Sequence, residues 1–226
     1  MWKQFKKLIS LNKGDFILTV SLTAGIFLLT QIIIAVVMVA AKPEEGIQVS
    51  GMILVFSSVI MMLVLTLSGL LVNYPQAIQF GCTRRRGLLL NAGLMGVEYL
   101  ATVALVAAGT LIEQHLCPPF WKALTGRSVD LVFFLDGIQP PWWLVLVAPL
   151  GGVALGLFIS AVIFRFGRVG GWTLYAIWMA VMLGQSFLPW AEHWWTAPWL
   201  YPAVWVLVLA GTVWSVWTLL RVTVKA

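Results

Sequence analysis

The sequence predicts an all-α integral membrane protein with six transmembrane helices, and three observations support this. Six apolar runs begin near Phe16, Ser50, Leu88, Trp142, Trp172 and Leu200. Each run holds roughly 17 to 25 residues with at most one charge, the length a helix needs to cross about 30 Å of hydrocarbon. The 226 residues are 61% hydrophobic and only 10% charged, so a soluble domain of this size could not keep its apolar surface out of water.

The distribution of basic residues predicts the orientation of these helices. Eleven of the fourteen Lys and Arg residues fall before span one, between spans two and three, between spans four and five, or after span six. They are Lys3, Lys6, Lys7, Lys13, Arg84, Arg85, Arg86, Arg165, Arg168, Arg221 and Lys225. Because cytoplasmic loops carry the excess of positive charge, both termini are expected in the cytoplasm. Since the basic residues are spread over four segments, the net charge of +6 indicates membrane lipids rather than nucleic acid as the partner.

The first fifteen residues differ in pattern from the rest of the chain. Trp2, Phe5, Leu8 and Ile9 recur at helical spacing, and lysines supply a basic face. Residues 1–15 are therefore predicted to form an amphipathic helix in the inner headgroup layer. Residues 16–226 are predicted to form one six-helix transmembrane domain, because the sequence shows no internal repeat, no low-complexity tract and no soluble domain boundary.

The segment between spans two and three has a distinctive local pattern. Pro75 suits the first turn of a short helix, and Gly81 suits the left-handed residue that ends it. Thr83 is then placed to cap span three, whose first turn carries the arginines at positions 84–86. The sequence thus predicts a short helix at the membrane surface, a sharp turn and a return into lipid.

The largest loop on the opposite side lies between spans three and four, from about Glu113 to Pro140. Several of the acidic residues fall here, among them Glu113 itself, in keeping with an external position. The loop also contains an apolar stretch, Leu131 to Leu135, which is too short to cross a bilayer. We expect that stretch to form a small interfacial helix or a lid.

Span three carries the one ionisable side chain that the sequence places deep in the membrane, Glu98. It lies ten residues after Leu88, about 15 Å along a helix. A bare carboxylate there is costly, so the group must be protonated, paired or facing a watery cavity. One interpretation is a proton or substrate-cation site, and the other is a structural carboxyl group that bonds across a helix interface to Gln31 or Thr102. Proton relays usually show several acids in series, which favours the structural interpretation.

Two pairs of small residues predict close packing of helices. Gly152 and Gly156 lie four residues apart in span four, and Ala92 and Gly96 do so in span three. Such pairs let helix backbones approach one another, within one chain or between two copies.

The sequence lacks the usual signatures of an enzyme. It contains no Gly-x4-Gly-Lys-Ser/Thr loop for ATP, no Gly-x-Ser-x-Gly elbow and no His-Glu-x-x-His helix. His115 and His193 fall in separate predicted loops without metal-ligand spacing. We therefore expect no catalytic residue, no metal ion and no cofactor on this chain.

Two short stretches, together with the topology, resemble a known family. Gly81, Thr83, Arg84 and Arg85 match a Gly-x-Thr/Ser-Arg-Arg/Lys pattern. That pattern follows the helix between spans two and three in many small six-helix permease subunits of bacterial ABC transporters of the type-2 exporter class. The Arg-Phe-Gly of residues 165–167 also resembles one found in compact permeases of this kind. The resemblance covers the whole chain in topology and only these two stretches in sequence.

The resemblance implies a dimeric permease in the bacterial cell membrane, built from two copies or from this chain and a paralogue. Two separate ATP-binding subunits would hold ATP and Mg and hydrolyse the nucleotide, so this chain would not itself be an enzyme. The chain would couple that hydrolysis to substrate movement across the membrane. The docking element would comprise Ala77, Phe80, Gly81, Thr83, Arg84, Arg85 and Arg86.

Two other functions remain open on the sequence. A stand-alone secondary carrier or channel would use Glu98. Carriers often show repeat symmetry or broken helices near the midplane, and this sequence shows neither clearly. A membrane scaffold or the partner of a sensor would need no transport path at all.

Overall fold

The computed structural model describes residues 13–40, 47–49, 53–79, 81–126, 129–131, 142–187 and 200–221. These residues are almost entirely helical, which confirms the predicted helical class. Residues 1–12, which hold most of the predicted amphipathic helix, lie outside the described residues, and that helix stays a prediction.

Within these ranges the helices are α1 (Lys13–Ala40), α2 (Ile53–Ser68), α3 (Tyr74–Gln79), α4 (Arg84–His115), α5 (Cys117–Thr125), α6 (Trp142–Phe187) and α7 (Leu200–Arg221). A π-helical turn, Gly69–Asn73, joins α2 to α3. Strands β1 (Ile47–Val49) and β2 (Val129–Leu131) pair in parallel, with Gln48 opposite Asp130. Leu131 lies in a strand, because its backbone pairs with Val49; the rest of the stretch expected to form an interfacial helix or a lid, residues 132–135, lies outside the described residues.

Four helical segments of the described chain are long and apolar enough to cross a membrane. They are Lys13–Met38, Ile53–Gln79, Arg84–Leu124 and Trp143–Ala180. The last lies within α6, a 46-residue helix whose backbone leaves helical geometry at Gly167, with φ 62° and ψ −142°. α7 adds a shorter apolar segment, Val206–Arg221.

The side chains are distributed as a lipid environment requires. Large apolar residues are exposed along the long helices; Ile17 of α1, for example, is 66% exposed. Buried polar residues are Thr19, Thr23, Thr30, Ser58, Thr66, Asn91, Glu98, Thr102, Thr110, Glu113, Ser160, Ser215 and Thr218. Some of these hydroxyls donate to their own helix, as Thr23 does to the carbonyl oxygen of Thr19 at 2.9 Å. Exposed apolar side chains along long helices, with buried polar groups bonded to their own helix, are compatible with a membrane protein.

The chain divides into two compact units, and the helices α2, α4 and α6 contribute to both. Unit 1 comprises the described residues of Met1–Leu65 and Ala92–Val153, and unit 2 those of Thr66–Asn91 and Ala154–Ala226. α1, α5 and both strands belong to unit 1, whereas α3 and α7 belong to unit 2. The single domain expected over residues 16–226 stays a prediction.

Unit 1 is packed around apolar clusters that join α1, α2, α4 and α6. One cluster consists of Leu54, Val55, Val106 and Val145, with Ile26 and Phe27 packed against it. Close packing is confirmed at Gly152, where an added methyl group would collide with the carbonyl oxygen of Val59. At Gly96 an added methyl group would meet no described atom of the chain within 4 Å, so a close contact there with a second copy stays a prediction.

Candidate functional site

The short helix predicted between spans two and three is α3, and its C-terminal end has the predicted geometry. Gly81 has a φ of 84°, in the left-handed region that glycine adopts without strain. Its N–H donates to the carbonyl oxygen of Ile78 at 3.0 Å, and the N–H of Cys82 donates to that of Ala77 at 3.0 Å. Two bonds at these spacings form a Schellman motif, which satisfies the last carbonyls of a helix and turns the chain. The expected left-handed cap at Gly81 is confirmed.

The start of α3 shows a feature that the sequence did not reveal. Pro75 lies in its first turn as expected, but the π-helical turn carries α2 into α3 without a gap. The N–H of Tyr74 donates to the carbonyl oxygen of Gly69, five residues earlier. A proline ring clashes with the carbonyl four residues before it, and a wider π turn relieves that clash. α3 is therefore an extension of α2.

The residues after Gly81 begin α4 as predicted. Thr83 occupies the N-cap position, because its carbonyl oxygen accepts the N–H of Gly87 at 2.8 Å. Arg84 is half-buried, whereas Arg85 and Arg86 are exposed. Phe80 lies outside the described residues. We call residues 74–87 the arginine-rich turn.

Tyr74 fixes the arginine-rich turn to two other helices of unit 2. Its side chain is 1% exposed, and its hydroxyl donates to the carbonyl oxygen of Leu219 in α7 at 3.2 Å. Its ring packs edge-on against Phe164 of α6, with the ring centroids 6.2 Å apart. A methyl group added at Gly87 would lie 3.5 Å from the same ring, so α4 passes close by. We call these four residues the Tyr74 junction.

Sequence reasoning missed Tyr74 as a site residue. A tyrosine at the end of an apolar span is typical of an interfacial anchor, whose hydroxyl faces water. The sequence feature that could have indicated it is the place of this tyrosine directly before Pro75, at the junction of span two and the short helix. Only the packed structure shows that this ring points into the protein.

Positive charge surrounds the Tyr74 junction without an acidic counterpart in the described part of unit 2. The arginines there are Arg84, Arg85, Arg86, Arg165, Arg168 and Arg221. Arg165 directly follows Phe164, and Arg221 lies two residues after Leu219. The described residues of unit 2 include no Asp or Glu. Any ion pair that these guanidinium groups make is therefore with a group outside that part of the chain.

A second feature is a buried polar face on α4 within unit 1. Glu98, Thr102, Thr110 and Glu113 are all buried. They are spaced four, eight and three residues apart and so share one face of the helix, on which the buried apolar residue Val106 lies between Thr102 and Thr110. The two carboxyl groups are fifteen residues apart, about 22 Å along the helix axis. We call these four residues the polar face of α4.

Glu98 is buried in protein as expected, but it bonds to neither of the partners that the sequence suggested. The side-chain oxygen of Gln31 accepts the indole N–H of Trp121 at 2.9 Å. The amide nitrogen of Gln31 and the hydroxyl of Thr102 are both buried without a hydrogen-bond partner. The structure therefore does not support a structural role for Glu98 through a hydrogen bond to Gln31 or Thr102.

Glu113 is a second buried carboxyl group, and its position corrects the sequence prediction of an external loop. α4 continues to His115, and the N–H of Leu116 donates to the carbonyl oxygen of Ile112 at 2.9 Å, so helical bonding runs on toward α5. Glu113 is 1% exposed, and its Oε2 has no hydrogen-bond partner. The signal was its three-residue step from Thr110, which continues the buried face beyond the apolar run.

Packing sets the relative direction of α1 and α4. α1 and α4 belong to one apolar cluster at Ile26 and Val106. Further along both helices, Trp121 of α5 packs against α1 near Ile34. The helices therefore run in the same direction. Unit 1 also holds two buried polar atoms without a hydrogen-bond partner, Nε2 of Gln31 and Oε2 of Glu113.

The described residues hold neither a metal cluster nor a disulfide. Among them, no three His, Cys, Asp or Glu side chains converge on a point that could hold a metal ion. Cys82 and Cys117 are both free thiols.

Comparison with known proteins returned no relative. The chain matches no protein-family model, no curated protein and no solved structure. Its function is therefore inferred from the arginine-rich turn, the Tyr74 junction and the polar face of α4.

Proposed function

We propose that this chain is the permease subunit of an ATP-driven exporter of the ABC type-2 class. It has six spans, of which α6 forms two, and both termini lie in the cytoplasm of a bacterial cell. A separate ATP-binding subunit holds and hydrolyses ATP with Mg. A second copy of the chain, or a paralogue, completes the transporter.

The observation that carries the proposal is the attachment of the arginine-rich turn to other helices through Tyr74. A docking element has to transmit a rigid displacement to the spans instead of bending by itself. Here the phenol is bonded to Leu219 of α7 and packed on Phe164 of α6. The turn is also continuous with α2 and leads directly into α4. A displacement of this turn would therefore be transmitted to α2, α4, α6 and α7.

The charge of the turn supports a protein partner. Arginines at positions 84–86 can form charge-assisted hydrogen bonds with carboxylates of a docked subunit. The described part of unit 2 supplies no carboxylate that would compete. Lipid phosphates are the competing ligands for the same arginines, so an experiment has to separate docking from anchoring.

The break in α6 supports the six-span topology. A continuous helix of 46 residues would be about 69 Å long, more than twice the ~30 Å of membrane hydrocarbon. Gly167 has a φ of 62°, and it is flanked by Arg165 and Arg168. Two basic residues beside a break are typical of a cytoplasmic turn between spans.

Charge reversal tests the proposal. We expect the triple variant Arg84→Glu, Arg85→Glu and Arg86→Glu to insert into the membrane but to lose co-purification with an ATP-binding subunit. The matched control reverses Lys13, Lys122 and Arg168, three exposed basic residues outside the turn, and it should keep the ATP-binding subunit. Retention of the ATP-binding subunit by the first variant would contradict the docking role.

A second candidate function, a secondary carrier, is favoured by one observation. The polar face of α4 carries two buried carboxyl groups in series, where the sequence indicated one. Reconstitution separates the two functions: the purified chain alone, in liposomes with a pH gradient, would move protons or a cation only if it is a carrier. That flux should then fall in both Glu98→Gln and Glu113→Gln.

A further inference from the structure

We propose that unit 2 binds one anionic phospholipid, with its phosphate between Arg165 and Arg221 and an acyl chain along the exposed face of α7. This site is distinct from the arginine-rich turn. It does not depend on the proposed docking of an ATP-binding subunit.

Two guanidinium groups are held over neighbouring rings of α7. The Cζ atom of Arg221 lies 4.2 Å from the ring centroid of Trp217. That of Arg165 lies 5.8 Å from the ring centroid of Trp214 and 5.6 Å from that of Phe166. Since Trp214 and Trp217 are three residues apart on one helix, they share a face. The two cations are therefore directed to adjacent places.

An anion is the ligand that this pair of cations fits. Two guanidinium groups over adjacent indoles repel each other, and the aromatic rings orient them without supplying a full negative charge. The described part of unit 2 includes no acidic residue that could neutralise them. A phosphate group offers several acceptor oxygens and can accept paired N–H bonds from each arginine.

The surface beside the arginines favours a lipid over a free phosphate. An open apolar groove on α7 is lined by Val206, Leu209, Ala210, Val213, Trp214 and Trp217. Val213, near its middle, is 70% exposed. The groove spans eleven residue steps, about 16 Å, which is roughly the hydrocarbon thickness of one leaflet. It ends at the two rings that carry the guanidinium groups, which is where the headgroup of a lipid lying in the groove belongs.

The two arginines of the lipid site lie next to the residues of α6 and α7 that contact Tyr74. Arg165 directly follows Phe164, and Arg221 lies two residues after Leu219. Those are the two residues of α6 and α7 that Tyr74 contacts. A phosphate bound by both arginines would hold α6, just before its break at Gly167, to the end of α7 and so stabilise the position of the tyrosine ring.

Lipid titration of the purified full-length chain, followed by native mass spectrometry, tests the site. The probes are phosphatidylglycerol and phosphatidylcholine with identical acyl chains. We expect one phosphatidylglycerol to bind on the order of tenfold more tightly than phosphatidylcholine. Arg165→Gln with Arg221→Gln should abolish that preference. The matched control, Lys13→Gln with Lys122→Gln, removes the same charge from exposed positions of unit 1 and should keep it.

A second variant tests the groove without changing charge. Val213→Trp places a bulky ring in the groove at an exposed position and should lower phosphatidylglycerol binding while both arginines remain. Equal loss in the control pair would show diffuse attraction and overturn the site. Retention of the preference in both site variants would also overturn it. Displacement of the lipid by excess inorganic phosphate would show a free-anion site and overturn the lipid assignment.

Discussion

The hydroxyl of Tyr74 donates a hydrogen bond to the backbone carbonyl of Leu219, 145 residues further along the chain, at 3.2 Å. Leu219 lies in the last turn of α7, where a carbonyl has no partner within its own helix. The bond therefore satisfies a free helix terminus and joins the arginine-rich turn to α7.

Removing that hydroxyl should weaken unit 2 by a measurable amount. Tyr74→Phe keeps the ring contact with Phe164 but leaves a buried carbonyl unpaired, so we expect a loss of about 1 kcal/mol in the free energy of unfolding. Tyr74→Ala should cost more, about 3–5 kcal/mol, because the ring is lost as well. Thermal unfolding in detergent measures both. The control is Tyr175→Phe, at a tyrosine that is 53% exposed, and an equal effect there would contradict the junction.

The left-handed cap of α3 gives a second test. Replacing two different glycines by alanine should change the free energy of unfolding in opposite directions. Gly81→Ala meets no atom within 4 Å, so its cost of about 1–2 kcal/mol comes from the backbone conformation alone. Gly25→Ala in α1 also meets open space but lies in a regular helix, and should be neutral or stabilising by up to about 1 kcal/mol. If both variants lower the free energy of unfolding by a similar amount, the role of Gly81 is disproved.

Local features of this fold were predictable from sequence, whereas non-local packing was not. The apolar runs predict helices of membrane-spanning length, and Gly81 and Thr83 mark the turn because their conformations depend on near neighbours. The burial of Tyr74 depends on Leu219, far along the chain, and no local pattern contains that information. Glu113 was misplaced because helix α4 extends beyond its apolar run, and its inward face becomes visible only from packing.

Substitutions of Glu113 should affect the free energy of unfolding and transport differently. Its Oε2 is buried without a partner, so Glu113→Leu removes an unsatisfied polar group and should leave the unfolding free energy unchanged or raise it by about 1 kcal/mol. If the polar face of α4 serves transport, the same variant should lose transport while Glu113→Gln keeps the fold. Destabilisation by several kcal/mol in the leucine variant would mean that the carboxyl group is structural.

The two free thiols report the topology. Under the six-span arrangement Cys82 should react with a membrane-impermeant maleimide only from the cytoplasmic side and Cys117 only from the outside. Labelling of intact cells and of inverted vesicles, followed by mass spectrometry, distinguishes the two sides, and single replacements by Ser identify each thiol. Reaction of both thiols from one side would overturn the topology.

Photo-crosslinking from the arginine-rich turn tests the docking of an ATP-binding subunit most directly. A photoreactive amino acid at Gln79, which is exposed at the end of α3, leaves all the arginines in place; Lys122, exposed on α5 and expected outside the cell, is the control position. In the native host, we expect the crosslinker at position 79 to capture a protein with a Gly-x4-Gly-Lys-Ser/Thr loop. The crosslinker at position 122 should not capture it. Capture of no such protein at position 79, or of the same protein from both positions, would contradict the proposed docking.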